Sequence, residues 1–168
     1  MYQPQSDKMR FSMGGINFKA KLIGVKDVSE PRGDKMCQEG IIFLKAMVKA
    51  AGQHKHKIMI NVSLEGIKIL DLLTGAIMHH HAVHRISFIS RDTTDARAFG
   101  YVYGPGDGTH QFFGIKTEKA AESLVLSLRD LFQVVFEMKK KEVEEAKQKK
   151  EKGDSDKENK DSNKSKEE

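Results

Sequence analysis

The chain has 168 residues, with 29 Lys and Arg against 24 Asp and Glu and a formal net charge of +5. Residues 139–168 hold eleven Lys and ten acidic residues, leaving +4 for the rest, too small an excess to argue for bulk nucleic-acid binding. One cysteine, Cys37, excludes an internal disulfide and suits a reducing compartment, and no run looks like a secretion signal or approaches the ~20 apolar residues of a membrane span. A soluble, cytoplasmic protein of one domain plus tails is expected, since domains typically run about 100–150 residues.

Residues 1–10 are polar and read as a flexible lead-in. From Ile16 to Val28 apolar Phe18, Ala20 and Leu22 alternate with Lys19 and Lys21, the period of a strand with one wet face. Pro31 and Gly33 break it, and Asp34 is placed to cap a helix carrying Cys37, Ile41, Leu44, Val48 and Ala51 on one face, ended by Gly52. Ile58, Ile60, Val62 and Leu64 follow at period two, then Glu65-Gly66 as a tight turn and Ile67 and Ile69 as the return strand. Thr74-Gly75 marks a turn before a short strand at Ala76 to His79.

The run His84 to Gly104 carries the most information. Ile86 and Phe88, then Phe99, Tyr101 and Tyr103, fall at period two around a polar loop in which Asp92, Thr93, Thr94 and Asp95 bond their own backbone. A last hairpin joins Phe99–Tyr103 to Gln111–Ile115 through a Gly-rich loop, and Thr117 is placed to cap a long helix. The stripe of that helix is Ala121, Leu124, Val125, Leu128, Leu131, Phe132, Val135 and Met138. Beyond Ala146 the composition cannot bury enough surface to fold, so a charged disordered tail is expected over residues 147–168, with one domain over 11–146.

Several chemical signals carry little. His79, His80, His81 and His84 lack a Cys or carboxylate at a recognisable ligand spacing, so no metal site is assigned. The loop Gly104–Gly108 has no Gly-Lys-Ser/Thr ending and reads as a hairpin connection rather than a phosphate loop. Cys37 sits at an apolar helical position, the setting of an inert thiol. Asp92 and Asp95 are turn carboxylates without a partner nucleophile, so no catalytic residue and no cofactor is expected. The pattern points to a β module that binds something rather than transforms it.

RDTTDARAFGYVYG (Arg91–Gly104) resembles phosphotyrosine-binding (PTB) domains, and among them the Disabled family of endocytic adaptors. FKAKLIGV from Phe18, PRGDKMCQE from Pro31, TGAIMHHHAVH from Thr74 and LRDLFQVVFEMKKKE from Leu128 extend the likeness in order along nearly the whole chain to about Lys147. The resemblance implies an α+β, mainly β, pleckstrin-homology-like fold: an antiparallel sandwich or open barrel capped by the C-terminal helix, with one helix inserted after the first strand. It also implies that the strand Arg85 to Ser90 adds an extended peptide along its edge. The family's ligands carry Phe-x-Asn-Pro-x-Tyr, in which Asn-Pro preorganises a turn that swings the Tyr into its own pocket.

On the matching positions, Ser87, Gly104 and His110 would meet the Tyr end, Phe88 and Ile89 belong to the strand, and Phe132 and Val135 would meet the upstream apolar residue. Periodicity alone reads Phe132 as ordinary core. The resemblance implies a preference for unphosphorylated Tyr; phosphate recognition would need convergent Arg side chains or amides, and only His110 is nameable there. The resemblance further implies a separate phosphoinositide site at Lys21, Lys49, His54, Lys55 and Arg97; composition alone reads these as solvated surface.

The expected role is a monomeric adaptor domain at the inner plasma membrane and endocytic vesicles. It would dock tails of the LDL-receptor family and of amyloid-precursor-like proteins, and reach clathrin and AP-2 machinery through regions outside this chain. The competing reading is a phosphoinositide-only membrane-targeting module on the same fold.

Overall fold

The computed structural model describes residues 10–12, 14–52 and 54–167, with side chains as far as residue 149. It divides into two compact units, Met1–Phe132 and Gln133–Glu168. The first unit holds strand β1 (Ile16–Val28), helix α1 (Asp34–Ala51), strands β2 (His56–Ser63), β3 (Gly66–Asp71), β4 (Ile77–His81), β5 (Ile86–Arg91), β6 (Ala98–Tyr103) and β7 (His110–Thr117), and the start of helix α2 (Glu122–Glu167). The architecture implied by the resemblance is therefore present, inserted helix and terminal helix included.

The seven strands form one continuous antiparallel sheet in the order β4-β3-β2-β1-β7-β6-β5. β1 is the hinge of this arrangement, since its first half pairs with β2 and its second half with β7. A register shift between Leu22 and Gly24 breaks the alternation read from sequence and turns Ile23 into the core. The pairings β3–β4 and β5–β6 carry similar shifts, at Ile69/Leu70 and Ile86/Phe88. On one face Ile23, Ala98, Val102 and Phe112 pack with Cys37, Ile41 and Leu44 of α1. On the other, Phe99, Tyr101, Phe113 and Ile115 are buried, as are Ala121, Leu124, Val125, Leu128 and Leu131 from the start of α2.

Phe112 shows how closely the first layer fits. Its ring lies against Gly40 of α1 and Gly100 of β6, and a Cβ built on either glycine would collide with it. Only glycine permits that approach. Truncating such a buried ring would cost about 3–5 kcal/mol.

Three local expectations change. Asp34 is the first helical residue and not the cap; Gly33 occupies the N-cap with no side-chain bond. The Asp34 carboxylate instead accepts from Ser90 Oγ at 3.2 Å, linking α1 to β5. The turn after β2 is Leu64-Glu65, with Gly66 opening β3. Thr117 stays in β7, where its hydroxyl bonds the carbonyls of Arg97 and Lys119, and α2 begins five residues later at Glu122. A tertiary partner outcompeted the cap in both helices.

The short strand expected at Ala76 to His79 is Ile77–His81. His79 and His81 share a face, as their spacing requires, and both meet the Phe113 ring edge-on at 5.0 and 4.5 Å. His81 also stacks on Tyr103 at 3.9 Å and bonds the Tyr101 hydroxyl through Nδ1 at 2.9 Å. Burial, reinforced by the neighbouring His79 and His80, lowers the His81 pKa to about 4, which keeps the ring neutral.

In the second unit α2 continues with Val134 buried and Phe136 and Val143 exposed, and Gln133 Nε2 donates to Glu137 Oε1 at 3.1 Å one turn on. Val135 lies here and is half-buried. The flexible lead-in expected over residues 1–10 falls outside the described residues apart from Arg10, and most of the expected tail lies beyond the described side chains.

Candidate functional site

A strand at the end of a sheet exposes the backbone groups its neighbour would have used. β5 ends the sheet and pairs only with β6, among the described residues. Which of its groups face outward follows from one bond. The Asp92 N–H donates to the Ala98 carbonyl at 3.0 Å, so in this register Ser90 and Phe88 also turn their main chain toward β6. Ile89 and Arg91 then face away from the sheet.

The two ends of this ledge are already occupied. Gln38 of α1 donates through Nε2 to the Arg91 carbonyl at 2.6 Å, and the Ile86 N–H bonds the Val83 carbonyl. The middle is open: the N–H and C=O of Ile89. A register shift between Ile86 and Phe88 places Ser87 at a bulge, where its hydroxyl donates to the Pro31 carbonyl at 2.7 Å and fixes the start of the strand. Phe88 packs on the α1-side core, so what it offers a ligand is main chain rather than ring.

Beside the ledge lies a pocket of about 260 Å³ lined by His84, Arg85, Ser87, Gly104, Gly106, Gly108, Thr109 and His110. Ser87, Gly104 and His110, separated by up to 23 positions in sequence, are thus brought together. Gly104 backs directly onto His110, since a Cβ there would stand 3.2 Å from Nδ1. That Nδ1 is buried and has no hydrogen-bond partner among the described residues. Gly106 has φ 98° and lies against the Arg85 guanidinium, so both backbone conformation and space demand glycine there. The loop is held by Asp107, whose carboxylate accepts from the Thr109 hydroxyl and N–H and is kept below its usual pKa by those bonds. Phe132, half-buried, ends the first unit; Val135 belongs to the second.

A second constellation sits on another part of the sheet. In the register, Lys21 lies opposite Lys57 on one side and Lys116 on the other, a row of like charges across β2, β1 and β7. Like charges directly opposed destabilise a sheet, so Lys21 beside Lys57 is costly without an anion between them. Three adjoining depressions open there. One of about 580 Å³ is lined by Lys21, His54, Lys55 and Lys57; one of about 420 Å³ by Lys45, Val48, Lys49, Gly52, Lys55 and Lys116. The third, about 400 Å³, includes Lys19, Lys21, Lys55, Lys57, Leu72, Arg97 and Lys116.

All five residues assigned to the basic patch therefore gather around Lys55. Arg97 is anchored through Nε to the Thr117 carbonyl at 3.2 Å. Lys21, Lys55 and Lys57 have no carboxylate partner among the described residues, in contrast to Lys45 and Lys116. Lys45 bridges Asp92 at 2.7 Å and Asp95 at 2.9 Å, and Lys116 bridges Asp95 at 2.8 Å. Hydrogen bonds from Lys116 and Lys45 hold the Asp95 carboxyl far below the usual range. Burial opposes the charge on Lys45, yet its bonds to Asp92 and Asp95 raise its pKa. Asp92 and Asp95, weighed and set aside as catalytic groups, are clamps on two lysines at the rim.

Sequence reasoning missed Lys57 and Lys116 as members of the row, and Arg85 and His84 at the pocket. Lys57 was visible as a neighbour of Lys55. Lys116 could be found only from the β1–β7 register, and Arg85 only from the closeness of Gly106.

Residues 18–142 match the family model of the phosphotyrosine interaction domain (PTB/PID). Over 144 residues the chain is 56% identical to Protein disabled of Drosophila melanogaster, covering 86% of this chain and 6% of that protein. It is 30% identical over 141 residues to PTB domain-containing engulfment adapter protein 1 of Mus musculus, covering 79% of this chain and 46% of the relative. With Low density lipoprotein receptor adapter protein 1 of Homo sapiens it shares 27% identity over 144 residues, 83% of this chain and 46% of the other. The chain thus spans less than half the length of each of these relatives. The C-terminal phosphotyrosine interaction domain of APBB2 from mouse superimposes with a TM-score of 0.63 over 70% of this chain and 85% of that one, at 15% identity, a likeness of fold. On the family model and these relatives together, the chain belongs to the phosphotyrosine interaction domain (PTB/PID) family.

Proposed function

We propose that this PTB domain is a non-catalytic adaptor module that takes up Phe-x-Asn-Pro-x-Tyr segments of receptor tails along β5 and holds a phosphoinositide headgroup in the lysine depressions. The observation that carries the peptide reading is the open main chain of Ile89 beside the pocket of Ser87, Gly104 and His110. A peptide strand pairs with Ile89, the Asn-Pro turn leaves the ledge, and the Tyr hydroxyl supplies the buried Nδ1 of His110 with the partner it lacks. Phe132 receives the upstream apolar side chain.

The pocket contains one guanidinium, Arg85, and phosphate recognition favours several convergent donors. Unphosphorylated Tyr is accordingly the preferred ligand. The similarity to a low density lipoprotein receptor adapter supports tails of that receptor family as cargo, and amyloid-precursor-like tails belong to the same chemical class. Holding lipid and tail at once raises the effective concentration of the second partner. The module then works at the inner plasma membrane and on endocytic vesicles, supporting clathrin-dependent uptake and receptor signalling, with clathrin and AP-2 machinery engaged through regions outside this chain.

The row Lys57–Lys21–Lys116 favours the lipid half of this reading and, taken alone, equally a phosphoinositide-only module. Titration of the chain with a fluorescent Phe-x-Asn-Pro-x-Tyr peptide, phosphorylated and not, separates the two. Saturable binding that is tighter without phosphate is expected; no saturable binding of either peptide leaves the lipid-only module. Lys21→Ala with Lys55→Ala should remove binding to phosphoinositide vesicles and leave peptide affinity unchanged.

A further inference from the structure

Helix α1 buries Cys37, Ile41 and Leu44 on one side and exposes a second apolar stripe on the other. Ile42 is 67% exposed, Phe43 46% and Met47 55%, with Ala46 and Ala50 exposed between and after them. Successive residues of a helix turn by about 100°, so these five share one face, with Lys49 at its edge. Lys26 reaches over the Phe43 ring at 5.2 Å from its centroid. Exposed Glu39 heads this face one turn before Ile42 and Phe43; from Gly40 to Leu64 the sequence then carries no carboxylate and has Lys45, Lys49, Lys55 and Lys57. A helix with an apolar face rimmed by cations is the signature of a segment that lies in a membrane surface.

A second apolar tip stands next to one of the lysine depressions, which its neighbour Leu72 lines. Leu73 is 91% exposed, at the β3–β4 turn. The turn is built to hold it there: Asp71 Oδ1 accepts from the N–H groups of Leu73 and Thr74 at 2.9 Å each, and the Leu72 N–H bonds the Lys57 carbonyl. Leu72 lines one depression, Val48 of α1 and the Gly52 that ends it another, and the two share Lys55 and Lys116. Leu72 and Val48, next in sequence to Leu73 and Met47, therefore line the cationic hollow, as does Lys49 at the edge of the stripe. A single protein partner has no reason to match both; an anionic bilayer, with phosphates above acyl chains, matches the alternation of charge and apolar surface.

We propose that the exposed stripe of α1 (Ile42, Phe43, Met47) and Leu73 enter the outer acyl region of an anionic bilayer while the lysines of the hollow hold its headgroups. This rests on the phosphoinositide reading above and adds insertion to it. Headgroup capture alone is a salt-sensitive, reversible encounter; buried apolar side chains add area-dependent affinity that salt does not screen.

The chain has no tryptophan, so Met47→Trp gives a single clean reporter. On adding phosphatidylcholine vesicles containing a phosphoinositide, its emission should shift to the blue and be quenched by brominated acyl chains. Ile42→Ser with Met47→Ser, and separately Leu73→Ser, should weaken vesicle binding by roughly tenfold or more while leaving binding of a soluble inositol polyphosphate unchanged. The proposal is overturned if the serine variants bind vesicles as the parent does, or if the Trp emission does not move on bound vesicles. It is also overturned if inositol polyphosphate binding falls in parallel, or if sedimentation shows a dimer that the serine variants dissociate, which would make the stripe an interface between copies. Should the parent bind neither vesicles nor the soluble headgroup, the phosphoinositide reading itself is what fails, and insertion goes with it.

Discussion

The ledge at β5 and the hollow around Lys55 are built from opposite materials. The ledge offers main chain: its useful groups are the N–H and C=O of Ile89, which any residue would carry, and their availability depends on β5 being the last strand of the sheet. The hollow offers side chains: Lys21, Lys57 and Lys116 are chemically specific but gain their meaning from a register that sets them side by side. A backbone site is therefore made by topology and refined by the pocket beside it. A side-chain site is made by composition and focused by strand pairing. The two should respond to different perturbations, and that separation can be broken experimentally.

The largest expected effect comes from removing one outward N–H. Ile89→Pro should leave the fold standing, because an edge strand tolerates proline where the N–H faces away from the sheet. It should lower peptide affinity by about 3 kcal/mol, roughly a hundredfold, through a lost strand bond and an unpaired partner. The control is Phe88→Pro, whose N–H faces Val102 within the sheet and whose ring packs on the α1 core. It should cost stability, read as a fall in melting temperature.

Acid probes the layer beneath the ledge. His81 is held neutral against Tyr101 and Tyr103, the residues that oppose Ile89 and Ile86. Its pKa is depressed from the usual imidazole value of 6.5 to about 4. The unfolded chain therefore takes up the proton first as pH falls. The associated stability is fully present above 6.5, is lost progressively below it, and is gone once pH passes below about 4, in all about 3 kcal/mol. Thermal melts of His81→Gln between pH 7 and pH 4 should lack this component of the parent's decline.

A smaller loss, about 2 kcal/mol of peptide affinity, is expected for Phe132→Ala if it anchors the upstream side chain. The smallest effect has the opposite sign. Lys21→Ala relieves repulsion from Lys57 and Lys116 and should raise stability by about 0.2–1 kcal/mol, more at low salt than at high, while vesicle binding falls. Peptide affinity that moved with it would reject two separate sites.

How much of this could be read from the residues alone differs between the two regions. The strands are legible wherever period two is unbroken, as at Phe99–Tyr103; β1 is legible in its bounds but not in its bulge at Leu22–Gly24, because a bulge has no composition of its own. Caps at Asp34 and Thr117 were assigned from local preference, yet Ser90 and the Arg97 and Lys119 carbonyls lie far off or off-helix and took those side chains first. For the site, resemblance gave Ser87, Gly104 and His110 their roles, and the fold shows them in one pocket. That β5 ends the sheet is a property of strand order, which no single segment encodes. The lysine row was half legible: the charges are in the sequence, their opposition is in the register.

The central claim is that the Ile89 main chain receives a peptide strand. Amide hydrogen exchange along β5, measured with and without a saturating Phe-x-Asn-Pro-x-Tyr peptide, tests it directly. The account predicts that the Ile89 amide, open in the unbound chain, becomes protected, while the Ser90 amide, already directed toward β6, changes little. An Ile89 amide that exchanges equally fast in the peptide-saturated domain would contradict it.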